Sequence, residues 1–185
     1  MRLARFFICN MLLLVMLSCS ERTRISRELA KFTSRDIVLP ACFQEVESGV
    51  LSMSKTKEDM PVMIFYSDSL SCSLCQINYL HERKPIYELA DSLGTFVVMT
   101  ILSPGAEEYG DVVDALRGRN QDFPVYLDYD RSFARQNFHI PSDKRFHSFL
   151  IGRNGKPIFV GDPLAGDALW NLFCKVVDEM NTEKP

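Results

Sequence analysis

The chain has 185 residues, with 21 lysines and arginines against 24 aspartates and glutamates and a formal net charge of −3. No basic footprint marks it as a nucleic-acid binder, and the length suits one domain plus a leader. Hydrophobic residues reach 46%, enough for a core even with an apolar N-terminus set aside.

Residues 1–18 read as a signal peptide. Arg2 and Arg5 form a positive start, and Phe6 to Leu17 is an apolar run interrupted only by Asn10, short for a membrane span. Met16-Leu17-Ser18-Cys19 resembles the lipobox of bacterial lipoproteins. That resemblance implies cleavage before Cys19 and a lipid on its sulfur and new N-terminus, although Leu17 stands where a smaller residue is common. Ordinary secretion with cleavage nearby is the plainer alternative. Either way the mature chain leaves the cytoplasm for a compartment in which disulfides can persist.

Residues 19–35 read as a tether and a short amphipathic helix, with Ile25, Leu29 and Phe32 at helical spacing. The remaining 36–185 form the domain. Asp36 to Pro40 reads as a short extended edge piece, and Val50 to Met60 as a loop. Val62 to Tyr66 is apolar enough for a buried strand, and the polar Ser67 to Ser71 follows it. Cys72 and Cys75 then open a helix that carries Ile77, Leu80, Ile86, Leu89, Ala90 and Leu93 near one face, with a kink expected at Pro85 and a cap at Gly94. Thr95 to Leu102 is a second buried strand. Glu107 to Arg117 is a polar helix with Val112, Val113 and Leu116 inward, and Phe123 to Leu127 is a third strand. Asp130 is placed to cap a helix through Phe138. Ser148 to Ile151 and Pro157 to Val160 form a hairpin around Asn154-Gly155. A last helix, Ala165 to Met180, is expected to bury Leu169, Leu172, Phe173, Val176 and Met180.

A buried strand that delivers Cys-x-x-Cys to a helix start is a redox arrangement. The thiolate is the attacking species in disulfide exchange, and helix N-terminal N–H groups favour it over the thiol. Cys72 is therefore the candidate nucleophile and Cys75 the candidate resolving thiol, expected to be the more shielded of the two. An inert disulfide and half a zinc site are the alternatives. Zinc usually needs four ligands, and His81, His139 and His147 are scattered singly. Cys42 and Cys174 read either as small buried apolar residues or as a disulfide joining the N-terminal segment to the last helix. Asp128 and Asp130 fit a turn and helix cap better than a metal loop, and Trp170 reads as core packing.

The order of elements, βαβ units closed by an antiparallel hairpin and a helix, predicts an α/β fold with a central mixed sheet between helical layers. At this point the chain resembles the thioredoxin-like superfamily, in particular its TlpA-like membrane-anchored and peroxiredoxin-like branches, with a strand–helix insert before the hairpin. The residues that carry this are Val62 to Tyr66, Cys72-Ser73-Leu74-Cys75, Phe123-Pro124-Val125-Tyr126, and Phe149-Leu150-Ile151-Gly152-Arg153-Asn154-Gly155-Lys156. The resemblance covers roughly Asp36 to Met180 and implies a three-layer α/β/α sandwich. It also implies thiol–disulfide exchange on protein thiols or disulfides, an upstream electron donor or acceptor, and no dissociable cofactor. Three positions depart from the family pattern. Phe146-His147-Ser148 stands where a cis-proline is usual, Ser71 replaces the tryptophan before the first cysteine, and the strand offers no buried carboxylate beneath the pair. In that fold His147 could lie across from Cys72, either bonding its thiolate or acting as acid to a leaving sulfur. A partly exposed strand histidine is the plainer reading.

Overall fold

The computed structural model describes residues 21–56, 60–119 and 121–182. The expected signal peptide and Cys19 lie outside them. The first described element is a helix over 21–33 (α1), after which 36–40 runs without regular structure. Cys42–Glu47 (β1) and Val50–Lys55 (β2) form an antiparallel hairpin. The expected edge strand at 36–40 and loop at 50–60 are both corrected by this pairing. The cause is the Ser48-Gly49 turn, where both residues take positive φ, 49° and 77°, the backbone of a tight hairpin.

Val62–Ser67 (β3) leads to Ser73–Asn78 (α2), and Leu80–Arg83 forms a 3-10 turn before Lys84–Leu93 (α3). The expected single kinked helix is thus two helices. Proline lacks the N–H that a helix interior needs, and Pro85 sits in the first turn of α3, where that loss costs nothing. Gly94 caps α3 with φ 61°, as its position predicts. Next come Val97–Leu102 (β4), Tyr109–Arg117 (α4), Val125–Leu127 (β5) and Ser132–Gln136 (α5). The hairpin Ser148–Ile151 (β6) and Pro157–Val160 (β7) and the helix Asp167–Thr182 (α6) close the chain.

The sheet order is β2-β1-β5-β4-β3-β6-β7. β3, β4 and β5 run parallel, and β1, β2, β6 and β7 pair antiparallel with their neighbours. This is the α/β/α sandwich with a central mixed sheet that the resemblance implies, and β5–α5 is its insert. Strand side chains alternate between faces, so β3 divides itself between two cores. Met63 and Phe65 join Ile77, Ile86, Val112 and Phe173 beneath α2, α3, α4 and α6. Val62 and Ile64 join Phe32, Phe133 and Phe149 beneath α1 and α5. Along α6 the buried residues are Phe173 and Val177, whereas Leu172 is 49% exposed. Leu172 falls just outside the stripe that a period of 3.6 turns inward.

Asn137 fastens the N-terminal segment to this frame. It is buried, its Oδ1 accepts from Val38 N at 2.8 Å, and its Nδ2 donates to Val38 O at 2.8 Å and Phe133 O at 2.9 Å. Removing the side chain takes the partner from Val38 N and Val38 O, a loss of about 1–3 kcal/mol per buried group, while Phe133 O still accepts from Asn137 N. Asn137→Ala is therefore expected to destabilise the chain by roughly 2–4 kcal/mol in urea unfolding, with early loss of hydrogen-exchange protection over 36–40.

Candidate active site

Asp68 shapes the loop between β3 and the cysteines. Its Oδ1 accepts from Ser71 Oγ at 2.8 Å and from Leu70 N at 3.2 Å, and its carbonyl accepts from Ser71 N at 3.0 Å. Arg131, itself in the left-handed region at φ 59°, donates to Ser69 Oγ at 2.8 Å. Ser71 is buried. Here a small hydroxyl ties the loop down.

Cys72 and Cys75 are joined as a disulfide with their Cα atoms 5.2 Å apart. Cys72 is the N-cap of α2, and its Sγ accepts from Cys75 N at 3.1 Å. Both cysteines are exposed, which corrects the expectation that Cys75 is shielded. The α2 helix is short and lies on the surface at its first turn, so an i, i+3 spacing does not bury the second sulfur. Leu70, 85% exposed, and Leu74, 39% exposed, flank the pair. Ser67 and Ser73, on either side of the loop, carry buried hydroxyls with no hydrogen-bond partner among the described residues.

A cation and a polar chain lie on the α2 face of the sheet. The Arg83 guanidinium stacks 4.7 Å above the Phe65 ring, donates to Gln76 Oε1 of α2 at 3.2 Å, and donates to Thr100 Oγ1 of β4 at 3.3 Å. Phe65 and Thr100 are register partners. Burial pulls the Arg83 pKa down, yet guanidinium stays charged at neutral pH. Tyr87 Oη lies 3.0 Å from Thr100 Oγ1 and 3.1 Å from Pro124 O. A carbonyl only accepts, so the Tyr87 proton goes to Pro124 and Thr100 donates to Tyr87. Sequence reasoning noted the missing carboxylate but missed this network. Thr100 within an apolar strand was the available signal, since a buried hydroxyl needs partners.

His147 is buried immediately ahead of β6. Its Nε2 lies 3.0 Å from Pro141 O, which makes Nε2 the protonated nitrogen, and its ring lies 5.3 Å from that of Tyr66. Tyr66 N donates to His147 O at 2.7 Å, so the residue is clamped at the C-terminal end of β3. All peptide bonds among the described residues are trans. His81 is exposed on the surface, as its position implies. Cys42 is free and exposed, and Cys174 is free and half-buried. They form no bridge, and Cys42 is not core. Asp128, not Asp130 alone, caps α5. It is 1% exposed and accepts from Phe133 N at 2.9 Å, Ala134 N at 3.0 Å and Ser103 Oγ at 2.7 Å, while Asp130 accepts from Ser132 N at 3.0 Å. No group of three metal-ligating side chains forms among the described residues. No helix among them is long and apolar enough to cross a membrane.

No family model and no curated protein matches the chain. Solved structures similar to it include the exposed lipoprotein thioredoxin Etrx1 of Streptococcus pneumoniae, at 20% identity over 75% of this chain and 99% of that one, TM-score 0.49. Another is Enterococcus faecalis AhpC, at 15% identity over 77% and 89%, TM-score 0.47. A third is a secreted Mycobacterium tuberculosis disulfide oxidoreductase homologous to E. coli DsbE, at 14% identity over 72% and 94%, TM-score 0.43. Likeness at this level concerns fold and carries no activity. The thioredoxin-like fold rests on the chain's own topology: a central strand leading to Cys-x-x-Cys, parallel neighbours, and a closing antiparallel hairpin with its helix.

Burial pushes the Tyr87 phenol up to about 12, against the opposing pull of Thr100 and Arg83. A phenol raised in the folded state is favoured neutral. Its contribution is fully present below the ordinary value of 10.0 and is lost as pH climbs toward 12. Alkaline titration of unfolding free energy is expected to show a fall of roughly 2–3 kcal/mol attributable to this group. Tyr87→Phe should be less stable at neutral pH and should lose that part of the alkaline slope.

Proposed function

We propose that this chain is an extracytoplasmic, lipid-anchored thiol–disulfide oxidoreductase acting on protein partners through Cys72 and Cys75. The observation that carries the reading is the exposed disulfide at the head of α2, with the Cys72 sulfur already accepting the Cys75 N–H. In the reduced protein that N–H favours a thiolate on Cys72. The Cys72 thiolate attacks one sulfur of a partner disulfide, forming a mixed disulfide and expelling the other partner sulfur as thiolate. Cys75, losing its proton to solvent, then attacks Cys72 and releases the second partner thiolate, so two electrons pass to the partner. An upstream dithiol returns them by the same steps in reverse.

His147 joins this proposal through Nδ1, the ring nitrogen that Pro141 does not engage. In that role the ring carries a second proton, as the imidazolium, when it bonds the Cys72 thiolate or donates to a leaving sulfur. The membrane anchor is Cys19, two residues before α1 enters the described chain. The runner-up is a non-catalytic binding module with a structural bridge. It is favoured by Ser71 and by Phe146-His147-Ser148 at positions where the family usually has tryptophan and cis-proline.

Cys75→Ser is expected to accumulate mixed disulfides with partners on non-reducing gels, while Cys72→Ser gives few or none. In the fully reduced chain Cys72 should alkylate first, with a pKa below the free-cysteine value of about 8.5. Equal, slow alkylation of both thiols with no trapped partner would instead establish the structural bridge. His147→Gln should slow exchange while leaving the melting temperature close to that of the parent.

A further inference from the structure

The helix that follows the proposed anchor is unusual for this chain. Arg22, Arg24, Arg27 and Lys31 lie within it and Arg35 just past its end, against Glu21 and Glu28 in the helix and Asp36 beyond it, in a protein whose net charge is −3. All five cations are exposed. At 3.6 residues per turn, Arg24, Arg27 and Lys31 fall within an arc of about 60°. Phe32, buried at 1% exposure, and the partly buried Ile25 turn to the core beside it. Glu28 shares the cleft with Arg24 and Lys31, so one carboxylate offsets part of the stripe. Glu21 lies 3.6 Å from Arg145, Asp143 is held by Arg145 at 2.6 Å, and Glu28 is half-buried. Among the described residues none of Arg24, Arg27 and Lys31 forms an ion pair.

Across the cleft from this stripe stands Phe138, 80% exposed. An aromatic side chain left in water beside a row of cations suits a surface that is apolar within and anionic at its face. That is a bilayer of anionic phospholipid. Chain length supports the same occupant. Cys19 is two residues ahead of Glu21, and two residues span at most about 7 Å. A lipid on Cys19 therefore leaves no slack to lift α1 away from the membrane.

We infer that α1 and the loop carrying Phe138 form a membrane-docking face, in which Arg24, Arg27 and Lys31 meet anionic headgroups and Phe138 enters the interface. The inference rests in part on the lipid-anchor reading. Docking replaces the expected flexible tether with a fixed orientation. The Phe138 loop feeds β6, whose first residue pairs with Phe65 near the end of β3 that leads to Cys72. A docked domain thus works on partners at the bilayer surface.

The test uses the mature protein as the cell processes it, with vesicles of phosphatidylcholine alone or mixed with phosphatidylglycerol. Flotation on phosphatidylcholine reports the lipid anchor. Docking is read separately, by quenching of a Phe138→Trp variant with brominated lipid, against the parent chain, whose Trp170 packs on the core. Quenching is expected with phosphatidylglycerol and not without it. It should fall when salt shortens the screening length and vanish in Arg24→Glu/Arg27→Glu/Lys31→Glu. For the chain free of its lipid, each cation reversed should weaken partitioning at least about fivefold. Equal quenching on both vesicles, no quenching on either, or quenching unaffected by both salt and the triple substitution overturns the docking face. Failure to float on phosphatidylcholine overturns the anchor and leaves the quenching result to judge docking.

Discussion

The structure depends on one strand being buried on both faces. β3 presents Met63 and Phe65 to one core and Val62 and Ile64 to the other, all at or below 1% exposure. A one-residue slip would exchange the two sets and move every helix contact with it. Parallel β4 on one side and antiparallel β6 on the other lock its register. Because β3 cannot shift, the loop at its C-terminal end and the cysteines beyond it have a fixed origin. The position of the cysteine pair is in this sense a property of the core.

Electrostatics on the α2 face are set by a buried cation. Instead of a carboxylate beneath the cysteines, the sheet carries a guanidinium stacked on Phe65 and shared between Gln76 and Thr100. A buried cation needs acceptors or a π face, and this one has both. It holds α2 to β4 through polar contacts, so the helix that bears Cys72 is tied to the sheet by Arg83 as well as by Ile77. A cation on this side of the sheet favours negative charge over neutral in its surroundings. A carboxylate there would accept a proton instead. Proton movement in the proposed exchange would therefore use other groups or solvent, which the exposure of both cysteines permits.

The long, strongly patterned parts of the fold were legible in the sequence. The hairpin β6–β7 matches its predicted limits because Asn154-Gly155 imposes its turn, and β3 and β4 stand out as apolar runs. The β1–β2 hairpin did not stand out. Its second strand is largely exposed and lacks the apolar alternation that marks a half-buried strand, so only the Ser48-Gly49 turn betrayed it. The single helix after Cys75 proved to be two because apolar spacing continues across a break made by the backbone. At the site, Cys-x-x-Cys was legible as a local motif. The setting of Arg83, Thr100, Tyr87 and Pro124 was not, because those residues come from three separate segments that only the folded sheet brings together. Exposure of Cys75 was also beyond the sequence, since spacing along a helix gives direction but not what covers it.

That exposure changes how the two sulfurs can differ. When the second cysteine is buried, access alone decides which one a partner attacks. Here both reach solvent, so the difference must be chemical. The Cys75 N–H points at the Cys72 sulfur at 3.1 Å. A donor aimed at one sulfur stabilises negative charge there, both in the free thiolate and when that sulfur is the leaving group. In the proposed exchange the same contact makes Cys72 the better attacking group when the pair is reduced, and the better leaving group when a partner's second thiolate attacks the partner sulfur of the mixed disulfide. Asp68 and Ser71 hold the loop that keeps this alignment, and the fixed end of β3 holds the loop. The asymmetry of the pair thus descends from packing in the core to a single backbone N–H at the surface.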